Sequence, residues 1–278
     1  MELSIPLFGD LSLRIADQSP AAGGYPTAQL QRGLLLLDKG QDLAEEGVGF
    51  GVPVLKRGIL TVFPGDVDLA WRREGPVWEV TATFQMNLVE RLAGPGGDRV
   101  KSRSLYAAKN ALAALHRRSP LLRGLLTAVS NALRHAFGWA TTFEKTKSCA
   151  RLVVTYTVHG EEGRIGIAVD MTDLPRAGGT EVVMMNEQGA RTFDSYIDAG
   201  GSSLQGEAIG AWDVVQAETA SFVCAAHAVT FTVAQVKGAR LNRGRELVGS
   251  RLAWAGFGYS VPPALSSFGY DVRIERIA

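Results

Sequence analysis

Cysteine, histidine and long apolar runs are all scarce in this chain, and each shortage excludes a class of protein. Among 278 residues there are two cysteines, Cys149 and Cys224. That is too few for a disulfide scaffold, and no C-x-x-C spacing occurs. Buried thiols in a reducing cytoplasm are the expected state, with one bridge between them as the alternative. The four histidines, His116, His135, His159 and His227, show no H-x-H, H-x-x-x-H or H-E-x-x-H spacing, so no metal and no other cofactor is expected. His227 reads as a core histidine on the strand face of Val229, Phe231 and Val233. The aspartates of "DMTD" at 170–173 read as a strand end before a proline turn.

The longest aliphatic stretch is "LLLL" at 34–37, far short of the roughly 20 residues that span a bilayer, so no transmembrane segment is expected. The opening "MELSIPLFGDLSLRI" lacks a basic leader followed by an apolar run, which points to a cytoplasmic location. Glycine-bearing stretches such as "GFGVPVLKRG" and "GSSLQGEAIG" match neither G-x-G-x-x-G nor the P-loop pattern, and no G-x-S-x-G elbow is present.

What the chain has in quantity is strand pattern. Between Trp78 and Leu88 apolar residues (Trp78, Val80, Ala82, Phe84, Met86, Leu88) alternate with polar ones, the period of a strand with one buried face. "CARLVVTYTVHGEEGRIGIAVD" reads as a hairpin about Gly160–Gly163, and "TEVVMMNEQGARTFDSYID" as a second hairpin turning at Glu187–Gln188. No internal repeat appears. The expectation is a mainly β chain forming a single domain over 1–278, a large antiparallel two-sheet β-sandwich. Residues 99–139 read as an inserted helical hairpin, with Leu105, Ala108, Leu112 and Leu115 at helical spacing and Ser119-Pro120 opening a second helix.

Charge is segregated. The chain carries 29 basic and 28 acidic residues, yet from Arg99 to Phe143 there are eight basic residues and no Asp or Glu, leaving −7 for the rest. Such a hairpin can pack on an acidic sheet body or contact an anionic surface. Only Tyr106, Phe137 and Trp139 lie near the basic residues, too few aromatics for a nucleic-acid stacking surface.

With metal, phosphate and serine-elbow chemistry set aside, carboxylates among amides and aromatics carry the functional expectation. The second hairpin would set Glu181 opposite Asp194 and place Glu187 at its turn, and two close carboxyl groups raise one another's proton affinity. "IGAWD" and "RLAWAGFGY" each set a tryptophan among small residues, and "NRGREL" groups Arg245 with Glu246. The candidate acid–base residues are Glu187, Asp194 and Glu246; the candidate binding residues are Asn186, Tyr196, Trp212, Arg245 and Trp254. Together they suggest an enzyme acting on a carbohydrate, of glycoside hydrolase, lyase or sugar epimerase type, whose partner is a glycan or small-molecule substrate. The alternatives are an enzyme or carrier for an apolar isoprenoid or lipid at a membrane surface, and a non-enzymatic scaffold domain.

Overall fold

The computed structural model describes residues 1–17, 30–57, 60–93, 140–174, 180–210, 212–248 and 252–277. The stretch 99–139, read above as a helical hairpin, lies outside them. The described chain is mainly β, with antiparallel sheets throughout. Its helical content is two short 3-10 turns, Gly160–Glu162 and Gly206–Ile209.

Four N-terminal strands, β1 (Glu2–Pro6), β2 (Leu11–Ala16), β3 (Leu35–Asp38) and β4 (Gln41–Asp42), form a small sheet in that order. The other fifteen belong to one ladder. They are β5 (Gly49–Arg57), β6 (Leu60–Glu74), β7 (Val77–Ala93), β8 (Ala140–Lys145), β9 (Arg151–His159), β10 (Arg164–Asp170), β11 (Thr180–Gln188), β12 (Ser195–Asp198), β13 (Ser203–Gln205), β14 (Asp213–Val214), β15 (Thr219–Cys224), β16 (Val229–Ala234), β17 (Arg240–Val248), β18 (Leu252–Val261) and β19 (Ser267–Arg276). Their order is β13-β12-β15-β16-β19-β10-β9-β7-β6-β5-β11-β18-β17-β14, with β8 paired to β7.

This ladder folds over on itself, so the two layers expected as separate sheets are halves of one. The bend falls near Pro64, where the β6–β7 register shifts twice. Proline has no N–H to give the ladder, and bulges of this kind bend a strand sharply. Beyond the bend, β5, β11 and β18 lie across from β9, β19, β16 and β15. Phe50 of β5 meets Phe231 of β16 at 5.3 Å, Phe257 of β18 meets Phe222 of β15 at 4.9 Å, and Tyr259 of β18 meets Tyr270 of β19 at 4.5 Å. Edge-to-face contacts of this size dominate the interlayer core. The alternation expected at 78–88 holds as far as Met86, with Val80, Ala82, Phe84 and Met86 wholly buried; past the register shift at Asn87 it breaks, and Leu88 joins Val54, Val183 and Met185 in a second cluster.

Three tyrosine hydroxyls in this gap tie one layer to the other. Tyr156 donates to the Gly51 carbonyl, Tyr259 to the Ala234 carbonyl, and Tyr270 to Asn186 Oδ1 at 2.9 Å. Asn186 Oδ1 also takes the Gly51 N–H at 3.1 Å. Asn186 therefore faces the interlayer core, not a substrate.

Two further expectations are corrected. The stretch 180–198 is not a hairpin: β11 pairs β5 on one side and β18 on the other, and β12 pairs β13 and β15. Glu181 thus stands opposite Lys56 rather than Asp194. His227 sits in the turn before β16, its Nδ1 2.8 Å from Asp38, which also takes Arg276 at 2.6 Å. Cys149 and Cys224 are both free thiols.

Removing the Asn186 amide leaves two buried donors without an acceptor, whereas removing the Tyr270 hydroxyl leaves an acceptor still served by Gly51. Asn186→Ala is expected to lower the unfolding free energy by about 2–4 kcal/mol and Tyr270→Phe by about 1 kcal/mol, read from urea denaturation. Losses below about 0.5 kcal/mol for both would place these groups in contact with water.

Candidate functional site

The outward face of β11, β18 and β17 carries the carboxyl groups. Alternation along β11 turns Val182, Met184, Asn186 and Gln188 to the interlayer core and Glu181, Val183, Met185 and Glu187 to the opposite face, where Val183 and Met185 join a second buried cluster. The register sets Glu187 opposite Gly256 of β18, which is opposite Gly244 of β17; Glu246 stands two pairs further on, opposite Trp254. Two strand spacings and two residue pairs separate the Cα atoms of Glu187 and Glu246 by about 12 Å, which two extended glutamate side chains largely span. Gly256 between them has no side chain to intervene.

Both indoles lie on the same face because glycines clear it. A Cβ on Gly258 would come within 2.5 Å of the Trp212 ring, and one on Gly244 within 2.6 Å of the Trp254 ring. The rings stack with centroids 5.2 Å apart and planes at 30°. Trp212 adopts a left-handed backbone, φ 62°, a conformation costly for a bulky residue and one that clusters at binding sites. Short strand β14 follows it and pairs Arg243 and Asn242 of β17, which fixes the ring over the sheet. Lys56 Nζ lies 5.9 Å from the Trp212 ring, at the far end of the row.

Glu187 is 5% exposed. Desolvation pushes its carboxyl up to about 8, with the charge of Glu246 adding to the rise and the Val48 N–H, 3.5 Å from Oε2, opposing it. At neutral pH this carboxyl is mostly protonated. Glu246 is half-buried and accepts the Trp254 indole N–H at 3.1 Å. The turns at either end of Glu187 are clamped. Arg32 donates to the carbonyls of Glu45 and Gly47, just before Val48. Glu45 takes the Arg191 backbone N–H at 3.1 Å, the Arg191 guanidinium at 2.8 Å and the Thr192 hydroxyl at 2.8 Å, just after Gln188.

Four of the eight residues singled out from sequence are thus brought together: Glu187, Glu246, Trp212 and Trp254. The other four stand elsewhere. Asn186 faces the core, as described. Tyr196 is wholly buried, donates to Asp198 at 2.8 Å and lies under the Arg243 guanidinium. Arg245 is on the opposite face of β17 from Glu246 and donates to the Ala190 carbonyl at 2.8 Å. Asp194 is exposed before β12, accepting from the Ser195 hydroxyl. Arg32 and Glu45 had no sequence signal, since they act through turns far from them in the chain. The glycines did leave one: Gly244, Gly256 and Gly258 fall on one face by simple alternation.

Among the described residues no group of three or more His, Cys, Asp or Glu is placed to hold a metal ion. A separate depression of about 400 Å³ lies on the outer face of β9, β10 and β19, lined by Thr155, Thr157, Gly166, Ala168, Gly269 and Asp271 among others. Its carboxylate, Asp271, is 3.9 Å from Arg164, and among the described residues lining it there is no second carboxyl group.

No family model matches the chain, and no curated protein matches it in sequence. Solved structures do resemble it in fold. The whole chain superimposes on part of the alpha-N-acetylgalactosaminidase NagBb from Bifidobacterium bifidum, in complex with GalNAc, with a TM-score of 0.52 at 9% identity, and spans 36% of that enzyme's length. An alpha-mannosidase from Enterococcus faecalis follows with a TM-score of 0.48 at 8% identity, 99% of this chain covering 29% of that one. A galactose mutarotase-like protein from Lactobacillus casei is matched over 99% of both chains, with a TM-score of 0.44 at 9% identity. The first of these likenesses describes the fold alone; function rests on the residues of the face itself.

The raised carboxyl of Glu187 has a pH signature with a definite sign. A carboxyl whose folded value lies near 8, above the ordinary 4.5, contributes stability that is fully present below about 4.5 and is lost as pH rises through about 8. Melting temperatures from pH 5 to pH 9 are expected to fall in the native protein and to fall less in Glu187→Gln, with the variant the more stable above pH 8. Parallel curves would mean that Glu187 is ionised throughout.

Proposed function

We propose that the face of β11, β18 and β17 binds a carbohydrate and that Glu187 and Glu246 act on it as acid and base. The observation that carries this reading is a buried, mostly protonated carboxyl beside a second carboxyl group held by an indole N–H. Two carboxyl groups in unlike surroundings divide into a proton donor and a proton acceptor, the requirement of glycoside cleavage, elimination and epimerisation alike. Glu187, dry and protonated, is the donor. Glu246, half-buried and hydrogen-bonded, is the base or nucleophile. The exposed part of Trp212 offers an apolar platform suited to the C–H face of a sugar ring, with Trp254 stacked against it. The fold likeness to a protein named as an alpha-N-acetylgalactosaminidase agrees with a sugar ligand and says nothing of mechanism.

A second reading has its own support. The same face continues into a buried apolar cluster of Leu30, Val48, Val52, Val54, Leu88, Val183 and Met185, against which Trp212 packs. An apolar ligand on this face would make the protein a carrier or enzyme for an isoprenoid or lipid.

Kinetics on a panel of nitrophenyl glycosides separates the two. Glu187→Gln and Glu246→Gln are each expected to lower kcat at least about 100-fold, and Trp212→Ala to raise KM with kcat little changed. The carbohydrate reading fails if no sugar is turned over or bound while dansylated fatty acid binds and is displaced by farnesol.

A further inference from the structure

The depression of about 400 Å³ on β9, β10 and β19 belongs to the other layer from Glu187 and opens away from it. Tyr156, Ile167 and Tyr270 turn to the interlayer core, so the residues that alternate with them turn outward. The register lays these out in two rows. Thr157, Gly166 and Asp271 stand side by side across the three strands, and Thr155, Ala168 and Gly269 form the next row. Gly166, Ala168 and Gly269 make a floor, and the two threonines face Asp271 across about 10 Å, two strand spacings.

The two glycines are not required by the fold. Among the other described strand glycines, Gly49 and Gly51 have positive φ, and a Cβ on Gly65, Gly244, Gly256 or Gly258 would collide with a neighbour. Gly166 and Gly269 show neither constraint. The first atom a Cβ would meet is Asp271 Oδ1 at 3.4 Å from the one and the Ile167 carbonyl oxygen at 3.5 Å from the other, ordinary contact distances. Glycine weakens a strand interior, and where it persists there it often marks a close approach to the backbone. A ligand lying on the floor is such an approach.

The walls carry hydrogen-bonding groups that the chain leaves available. Elsewhere on this face the hydroxyls of Ser221, Thr230 and Thr232 satisfy one another at 2.7 and 3.5 Å, whereas among the described residues those of Thr155 and Thr157 have no partner. Asp271 leans over Gly166, and its charge is met by Arg164 at 3.9 Å, which Glu162 also holds at 3.3 Å. A carboxylate acceptor, a guanidinium donor and two hydroxyls of either sense, with the charges balanced, suit a ligand rich in hydroxyls and without charge of its own. The floor of Cα–H and methyl groups suits the C–H face of a pyranose ring. We propose that this depression binds one neutral sugar unit of a glycan, as an anchoring site on the opposite side of the molecule from Glu187 and Glu246. It involves no acid–base chemistry and does not depend on the reading of that other face.

Amide chemical-shift mapping tests this, with the methyl glycosides of galactose, N-acetylgalactosamine, glucose and mannose at millimolar concentration as probes. At least one is expected to shift the amides of Thr157, Gly166, Ala168 and Gly269 together, in the native protein and equally in Glu187→Gln. Gly269→Val, which sets a strand-favouring side chain on the floor, is expected to abolish these shifts without lowering Tm. Asp271→Ala, at an exposed position, is expected to weaken the same binding at least about 10-fold. The inference is overturned if no glycoside shifts these amides, if the shifts persist undiminished in both Gly269→Val and Asp271→Ala, or if glucuronate or putrescine moves them and the neutral glycosides do not. Nitrophenyl glycosides left intact while these shifts are present would count against the acid–base reading of the other face and leave this site standing.

Discussion

The burial of one carboxyl group constrains the rest of this structure. Glu187 stands at the end of a central strand with β5 on one side and β18 on the other, 5% exposed, where an ionised carboxylate is costly unless paired. Its surroundings offer one long backbone contact and the charge of Glu246, which opposes ionisation. The group answers by keeping its proton. Around it the chain fixes the elements that could let water in: Arg32 holds the turn before Val48, Glu45 holds the turn after Gln188, and the two indoles close the glycine-cleared face beside it.

The same strand divides its labour between its faces. Inward, Asn186 ties the two layers together through Gly51 and Tyr270; outward, Glu187 shares a face with Glu246 and the tryptophans. A hydrogen-bonded interlayer network directly beneath a buried carboxyl group restrains its position. That network explains why amide and carboxyl neighbours, adjacent in sequence, serve unrelated purposes.

Much of this was legible in the sequence, and the limits were physical. Alternation from Trp78 to Met86 and the Gly160–Gly163 turn are local signals, and both held; Leu88 was lost to a bulge at Asn87 that local alternation does not announce. Glu187, Glu246, Trp212 and Trp254 were singled out by residue type, yet their convergence came from pairings between segments far apart in the chain. β11 pairs with residues about 130 positions away in β5, and nothing local distinguishes that partner from the nearby 190–198. The assumed hairpin failed for this reason, and Asp194 and Tyr196 left the site with it. Asn186 and Arg245 were lost to alternation: each neighbours a glutamate that faces the site, and each faces away.

The state of the Glu187 proton tests the account most directly. Carbon-13 NMR of carboxyl-labelled glutamate, with the Glu187 resonance assigned by its loss in Glu187→Gln, follows that proton without any substrate. The account predicts a midpoint near 8, moving down in Glu246→Gln as the neighbouring charge is removed. A midpoint near the ordinary 4.5, unmoved by Glu246→Gln, would contradict it.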